Sequence, residues 1–185
     1  EHGVTEEVTG IDLVDWMISQ ASGDLAPLDD FRIVPRGAAI QVRLYAEDPN
    51  KAFQPSAGLL TAARFPGDIR VDSWVQDGTL VPPNYDPMLA KLIAYGPDRE
   101  SARNKLIAAL EASEVAGIET NRAYLAQVLA YPDFVAGRQI TRMLEGFHYR
   151  PATVDVLEPG VQSSLQDWPG RTGYWDVGVP PSGPM

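Results

Sequence analysis

The chain has 185 residues, 15 Lys plus Arg against 25 Asp plus Glu for a formal charge of -10, and no cysteine. Without cysteine there are no disulfides, thiolate metal sites or thiol nucleophiles, and the acidic balance with no basic cluster argues against nucleic acid as a partner. Hydrophobic residues at 44% and charged residues at 22% suit a folded globular chain, and no apolar run approaches the ~20 residues that span a bilayer, so a soluble, cytoplasmic protein with no membrane partner is expected.

Asp12 is placed to cap a helix in which Leu13, Met17 and Ala21, with Val14 and Ile18 beside them, follow the i, i+4 spacing of one buried face. Gly23 should stop it, and Asp29-Asp30 marks a polar loop. From 38 to 47 the residues alternate: Ala38, Ile40, Val42, Leu44 and Ala46 face one way, and Ala39, Gln41, Arg43, Tyr45 and Glu47 the other, the pattern of a strand with one apolar and one polar face. Further strands are predicted over 59–65, 69–75 and 88–95, separated by Pro66-Gly67, Asp77-Gly78 and Pro82-Pro83-Asn84. Asp98 caps a helix to about Ala112 with Ala102, Leu106, Ala109 and Leu110 inward. Thr120 or Asn121 caps another to Ala130 with Leu125, Val128 and Leu129 inward, and Pro132 ends it. Strands followed by helices imply an α+β fold, an antiparallel sheet covered by helices. Composition shifts at 148–152, so the expected organisation is a domain over 1–147, a linker over 148–152 and an incomplete all-β segment over 153–185, too short to bury a core alone. The chain opens on Glu1 without Met and ends in a Pro/Gly-rich turn, so both ends read as cut.

Taken by themselves, few residues suggest chemistry: Glu1, His2, Arg43 with Glu47 and Asp48, Tyr85-Asp86 and Lys91. There is no triad, no Gly-rich phosphate loop and no metal-ligand spacing, and two histidines argue against a His-based metal site. A strand Arg flanked by acids is ordinarily a structural ion pair, and a terminal Glu a solvated end. Lys91 reads as an exposed edge or ion-pair lysine, and Tyr85-Asp86 divides evenly between a capping turn and a site wall. Trp168, Tyr174 and Trp175 read as core or interface rather than a ligand cage, and Glu6-Glu7 as a solvated surface.

Four blocks change that weighing. EHGVTEEVTGIDLVDWMI at the start, GAAIQVRLYAEDP over Gly37 to Pro49, YDPMLAKLIAYG over Tyr85 to Gly96 and GIETN over Gly117 to Asn121 together resemble the C-terminal part of a biotin carboxylase. VQSSLQDWPGRTGYWDVGVPPSGPM, from Val161 to Met185, is similar to the start of the carboxyltransferase domain of the urea carboxylase family and of related 5-oxoprolinase subunits. Acyl-CoA and pyruvate carboxylases lack this continuation.

The resemblance implies a parent ligase that uses ATP and Mg to activate bicarbonate, forms carboxybiotin and passes the carboxyl group to urea or a close analogue such as guanidine. It puts Glu1 on the Glu of a Gln-Val-Glu-His motif, the base for bicarbonate, and Arg43 on the Arg that faces biotin and bicarbonate. Glu47 and Asp86 would orient these groups from behind, and Thr141 would lie near the adenine. Mg ligands and most ATP contacts would precede residue 1, with no metal ligand in this chain, so the piece alone should not turn over ATP. Gly3 stands where the family usually has Pro, which should loosen the turn after Glu1-His2. The remaining carboxylase domains, and a second copy pairing through this region, are the implied partners. The rival readings are a subunit of an acyl-CoA-type carboxylase and a non-catalytic packing or dimerisation module.

Overall fold

Helix α1 spans His2–Thr9 and helix α2 spans Leu13–Ser22 in a computed structural model that describes residues 2–151, 153–158 and 161–166. Asp12 caps α2 as its sequence suggests, accepting the N–H groups of Val14 and Asp15, and Gly23 ends it with φ 83, a left-handed turn that glycine adopts without a Cβ clash. The expected buried face is not buried. Val14, Met17 and Ile18 are 49%, 70% and 63% exposed, because the helix is anchored instead through Trp16, which stacks on Phe31 at 4.4 Å. Nor is the segment after His2 a loosened turn. Gly3 is buried within α1, where a Cβ would come 2.7 Å from Ile93 Cδ1, so glycine lets the helix lie close against the sheet.

The sheet follows from the alternating pattern. Strand β1 (Ala38–Tyr45) buries Ile40, Val42 and Leu44 and changes register between Leu44 and Tyr45, so the predicted strand to residue 47 ends early. Its last residues become β2 (Glu47–Asp48), which pairs with β3 (Gln54–Pro55). The single strand expected over 59–65 is two: β4 (Gly58–Leu59) and β5 (Ala62–Arg64). The chain changes partner between them, Leu60 N–H donating to Thr79 C=O at 2.9 Å and Thr61 N–H to Ala116 C=O at 2.8 Å. β6 is shorter than predicted (Arg70–Ser73), β7 (Leu80–Val81) pairs with β4, and β8 runs Met88–Gly96. The three long strands are antiparallel in the order β1-β8-β6, which makes β8 central and corrects the edge-strand reading of Lys91.

Asp98 accepts the Ser101 N–H at 2.8 Å and starts α3 (Arg99–Ala112), which buries Ala102, Leu106, Ala109 and Leu110. Ala102, Leu106 and Leu110 meet Leu44, Leu60, Leu89 and Leu92 in one apolar core. Strand β9 (Glu114–Ala116) pairs with β5, and α4 (Arg122–Ala130) closes the core through Leu129. Arg122 binds the end of α3, donating to the carbonyls of Leu110 at 2.8 Å and Ser113 at 2.9 Å. Pro132 does more than end α4: as the first helical residue it opens α5 (Pro132–Val135), where its missing N–H costs nothing. Tyr124 of α4 holds the following segment by edge contacts to Phe147 at 5.3 Å and Tyr149 at 5.9 Å.

Glu1–Arg150 and Pro151–Met185 are separate compact units. The first is an α+β unit. In the second, β10 (Thr153–Glu158) pairs antiparallel with β11 (Val161–Gln166); Trp168, Tyr174 and Trp175 lie outside the described residues. No described helix is long and apolar enough to cross a membrane.

Candidate functional site

Arg43 lies on the face of β1 opposite Val42 and Leu44, half-buried, directly across from Lys91 of β8, which in turn lies across from Asp72 of β6. Residues directly opposite on antiparallel strands share a face. One row across the sheet therefore carries two cations and an acid. The adjacent row holds Gln41, Ile93 and Arg70, and α1 packs over it. Arg70 fixes that helix: it donates to Glu6 at 2.6 Å and to Asp72 at 3.0 Å. Burial works against the Glu6 charge, but the Arg70 hydrogen bond and the Leu13 N–H hold its pKa below the usual carboxylate range.

Glu47 sits just beyond β1, half-buried, and its pKa is raised, first by burial and then by the nearby Asp86 carboxylate. Asp86 accepts the Met88 N–H at 2.8 Å, a turn that starts β8, while Tyr85 is 80% exposed. The structure thus brings Glu47 and Asp86 into electrostatic contact near the ends of β1 and β8. Asp48, by contrast, is a structural residue: it accepts the Asn50 N–H at 2.9 Å and pairs with Lys51 at 3.3 Å. Thr141 opens an exposed 3-10 turn, Thr141–Gly146. Glu1 lies outside the described residues.

The side-chain partners of Asn121 lie outside its own helix. Expected as a helix cap, it makes no side-chain cap bond to α4; its Oδ1 accepts the Tyr45 N–H at 2.9 Å and its Nδ2 donates to the Arg43 carbonyl at 3.2 Å. Its place in GIETN was the only available signal.

Arg43 and Lys91 supply charge and donors for an anionic oxygen, so the row fits a bicarbonate or a biotin ureido oxygen gaining negative charge. Among the described residues no three His, Asp or Glu side chains form a group that could hold a metal ion. A cleft of about 500 Å³ lies between the end of α1 and residues 31–36, lined by Glu7, Phe31, Arg32, Arg36 and Tyr95 among others. None of Arg43, Glu47, Asp86 or Thr141 lines it.

Residues 41–146 match the biotin carboxylase C-terminal domain family. The chain is 46% identical over its whole length to the urea amidolyase of Saccharomyces cerevisiae, of which it spans 10%. The crystal structure of Kluyveromyces lactis urea carboxylase is similar over 100% of this chain and 16% of its own, with 49% identity and a TM-score of 0.81. The biotin carboxylase domain dimer of Hydrogenobacter thermophilus 2-oxoglutarate carboxylase, in complex with MgADP, ADP and bicarbonate, covers 78% of this chain and 32% of its own, with 37% identity and a TM-score of 0.74.

Proposed function

The chain belongs to the biotin carboxylase C-terminal domain family, and from that premise we propose that it forms part of a cytoplasmic, ATP-dependent carboxylase that carboxylates biotin with bicarbonate for transfer to urea or a close analogue. The observation that carries the urea assignment is the reach of the likeness, which to urea carboxylase runs through both units and to the 2-oxoglutarate carboxylase domain does not. On this reading residues 1–147 complete a biotin carboxylase domain, 148–152 link it onward, and 153–185 begin a carboxyltransferase domain. Likeness to acyl-CoA-type carboxylase subunits covers 80% to 89% of the chain and so stops short of the whole second segment.

Biotin, when bound, supplies the ureido nitrogen that accepts the carboxyl group. Arg43, whose guanidinium stays charged, would hold the biotin ureido oxygen and the bicarbonate through its paired donors. Glu1 accepts the bicarbonate proton. Glu47 and Asp86 would orient the end of the Arg43 strand, and Thr141 would contact the adenine. The nucleotide and bicarbonate in the Hydrogenobacter domain, and its dimeric state, support ATP use and pairing of two copies here.

In the full-length carboxylase, Arg43→Ala should lower ATP cleavage that depends on both bicarbonate and biotin by about 100-fold or more, the scale of removing one donor to a developing oxyanion. ATP binding should persist, and Arg43→Lys should recover little because it lacks the planar paired donors. Unchanged turnover in Arg43→Ala would make Arg43 a structural residue. Urea and guanidine, compared as acceptors in the same assay, then test the substrate; preference for an acyl-CoA would overturn it.

A further inference from the structure

Asn121 has 5% exposure, and a buried amide must have partners for both its oxygen and its nitrogen. Both partners are backbone groups of β1, more than seventy residues earlier: the Tyr45 N–H and the Arg43 carbonyl. The Asn121 backbone N–H adds a third bond, to the Tyr45 carbonyl at 3.1 Å. β1 is an outer strand of its sheet, so alternate residues turn their peptide groups away from β8. The Asn121 amide stands in for a missing neighbour strand at Arg43 and Tyr45, beside the register change at Leu44/Tyr45.

The amide is itself held firmly. Gly117, with φ 104, passes so close to the Leu59 carbonyl that a Cβ would overlap it, and Glu119 N–H donates to Ser56 Oγ at 3.0 Å. On the other side Arg122 is clamped to the end of α3. The segment 117–121 is therefore tied at both ends, and its asparagine bonds to the backbone of the arginine assigned above to biotin and bicarbonate. Asparagine is matched to this task because a single short side chain offers an acceptor and a donor together.

We propose that Asn121 is a positioning residue for carboxylation: its amide fixes the backbone of Arg43 to Tyr45 and so aims the Arg43 guanidinium. The proposal rests on the reading of Arg43 given above. A strand end free to shift by an ångström would leave the guanidinium charged but misdirected, which costs rate rather than nucleotide affinity.

The test uses the full-length carboxylase with Asn121→Ala, Arg43→Ala, the double variant and Asn121→Asp, assayed for bicarbonate-dependent ATP cleavage with and without biotin. Asn121→Ala should lower biotin-dependent kcat by about 10- to 100-fold while KM for ATP stays as in the native enzyme. The double variant should be no slower than Arg43→Ala, since both act through one group. Ionised Asn121→Asp keeps the acceptor but loses the donor to the Arg43 carbonyl, so its activity relative to native should rise as pH falls and the acid regains a proton. Multiplying losses in the double variant, a KM for ATP that rises along with the loss of kcat, or a relative activity of Asn121→Asp that is flat with pH would each overturn the proposal. If Asn121→Ala does not fold, the pH response of Asn121→Asp decides it. A normal Arg43→Ala would instead sink the underlying reading, whereas an impaired Arg43→Ala beside a normal Asn121→Ala would sink only the positioning role.

Discussion

Helices α2 and α3 each begin at an aspartate cap and carry apolar residues at i, i+4 spacing. α3 fully buries Leu106 and Leu110 against the sheet, whereas α2 leaves Met17 at 70% exposure. The local signals are alike because capping and periodicity concern only the helix itself. Burial depends on what lies opposite, and α3 alone of the two has β1 and β8 beneath it. α1 is an intermediate case, tied to the sheet by a close glycine contact and an ion pair.

The sharpest way to break this contrast is to truncate both apolar faces. Leu106→Ala should lower unfolding stability by about 2–5 kcal/mol, the range for emptying a closely packed leucine site, while Met17→Ala should change it by about 0.5 kcal/mol or less. Denaturant titration of the two variants checks this, and equal losses would mean that α2 is packed in solution. A smaller effect is expected for α1. Because the Glu6 pKa is lowered in the folded state, its contribution is complete above the ordinary carboxylate pKa and is lost as pH falls through the lowered value. Glu6→Gln should therefore cost about 1 kcal/mol at neutral pH and the deficit should close under acid conditions, as followed by stability measured against pH. The smallest change comes from the caps. Asp98→Ala should lower the global denaturation midpoint slightly, whereas Asp12→Ala should leave that midpoint unchanged and only speed amide exchange within α2.

Several features of the site were legible before any coordinates. The alternation through Ile40, Val42 and Leu44 put Arg43 on the polar face of β1, and the four blocks resembling biotin carboxylase are what suggest the role proposed for it. The central place of Lys91 was hidden because a strand's own residues do not say whether both its edges are paired; β8 lies between β1 and β6. The split of the predicted 59–65 strand was equally hidden, since Leu60 and Thr61 find their partners at Thr79 and Ala116, and neither choice leaves a trace in the local pattern.

What the sequence by itself determined is the set of properties that act over a few residues: strand alternation, the Asp12 and Asp98 caps, the stop at Gly23 and the turns between strands. Tertiary structure decided which apolar faces found a partner, how closely α1 approaches Ile93 at Gly3, and that Asn121 serves β1 rather than its own helix. The physical reason is that periods and caps are set by steric and hydrogen-bonding rules within a turn or a pleat, whereas a buried amide is satisfied by whichever peptide groups the fold brings to it. For Asn121 those groups lie 76 and 78 residues away along the chain.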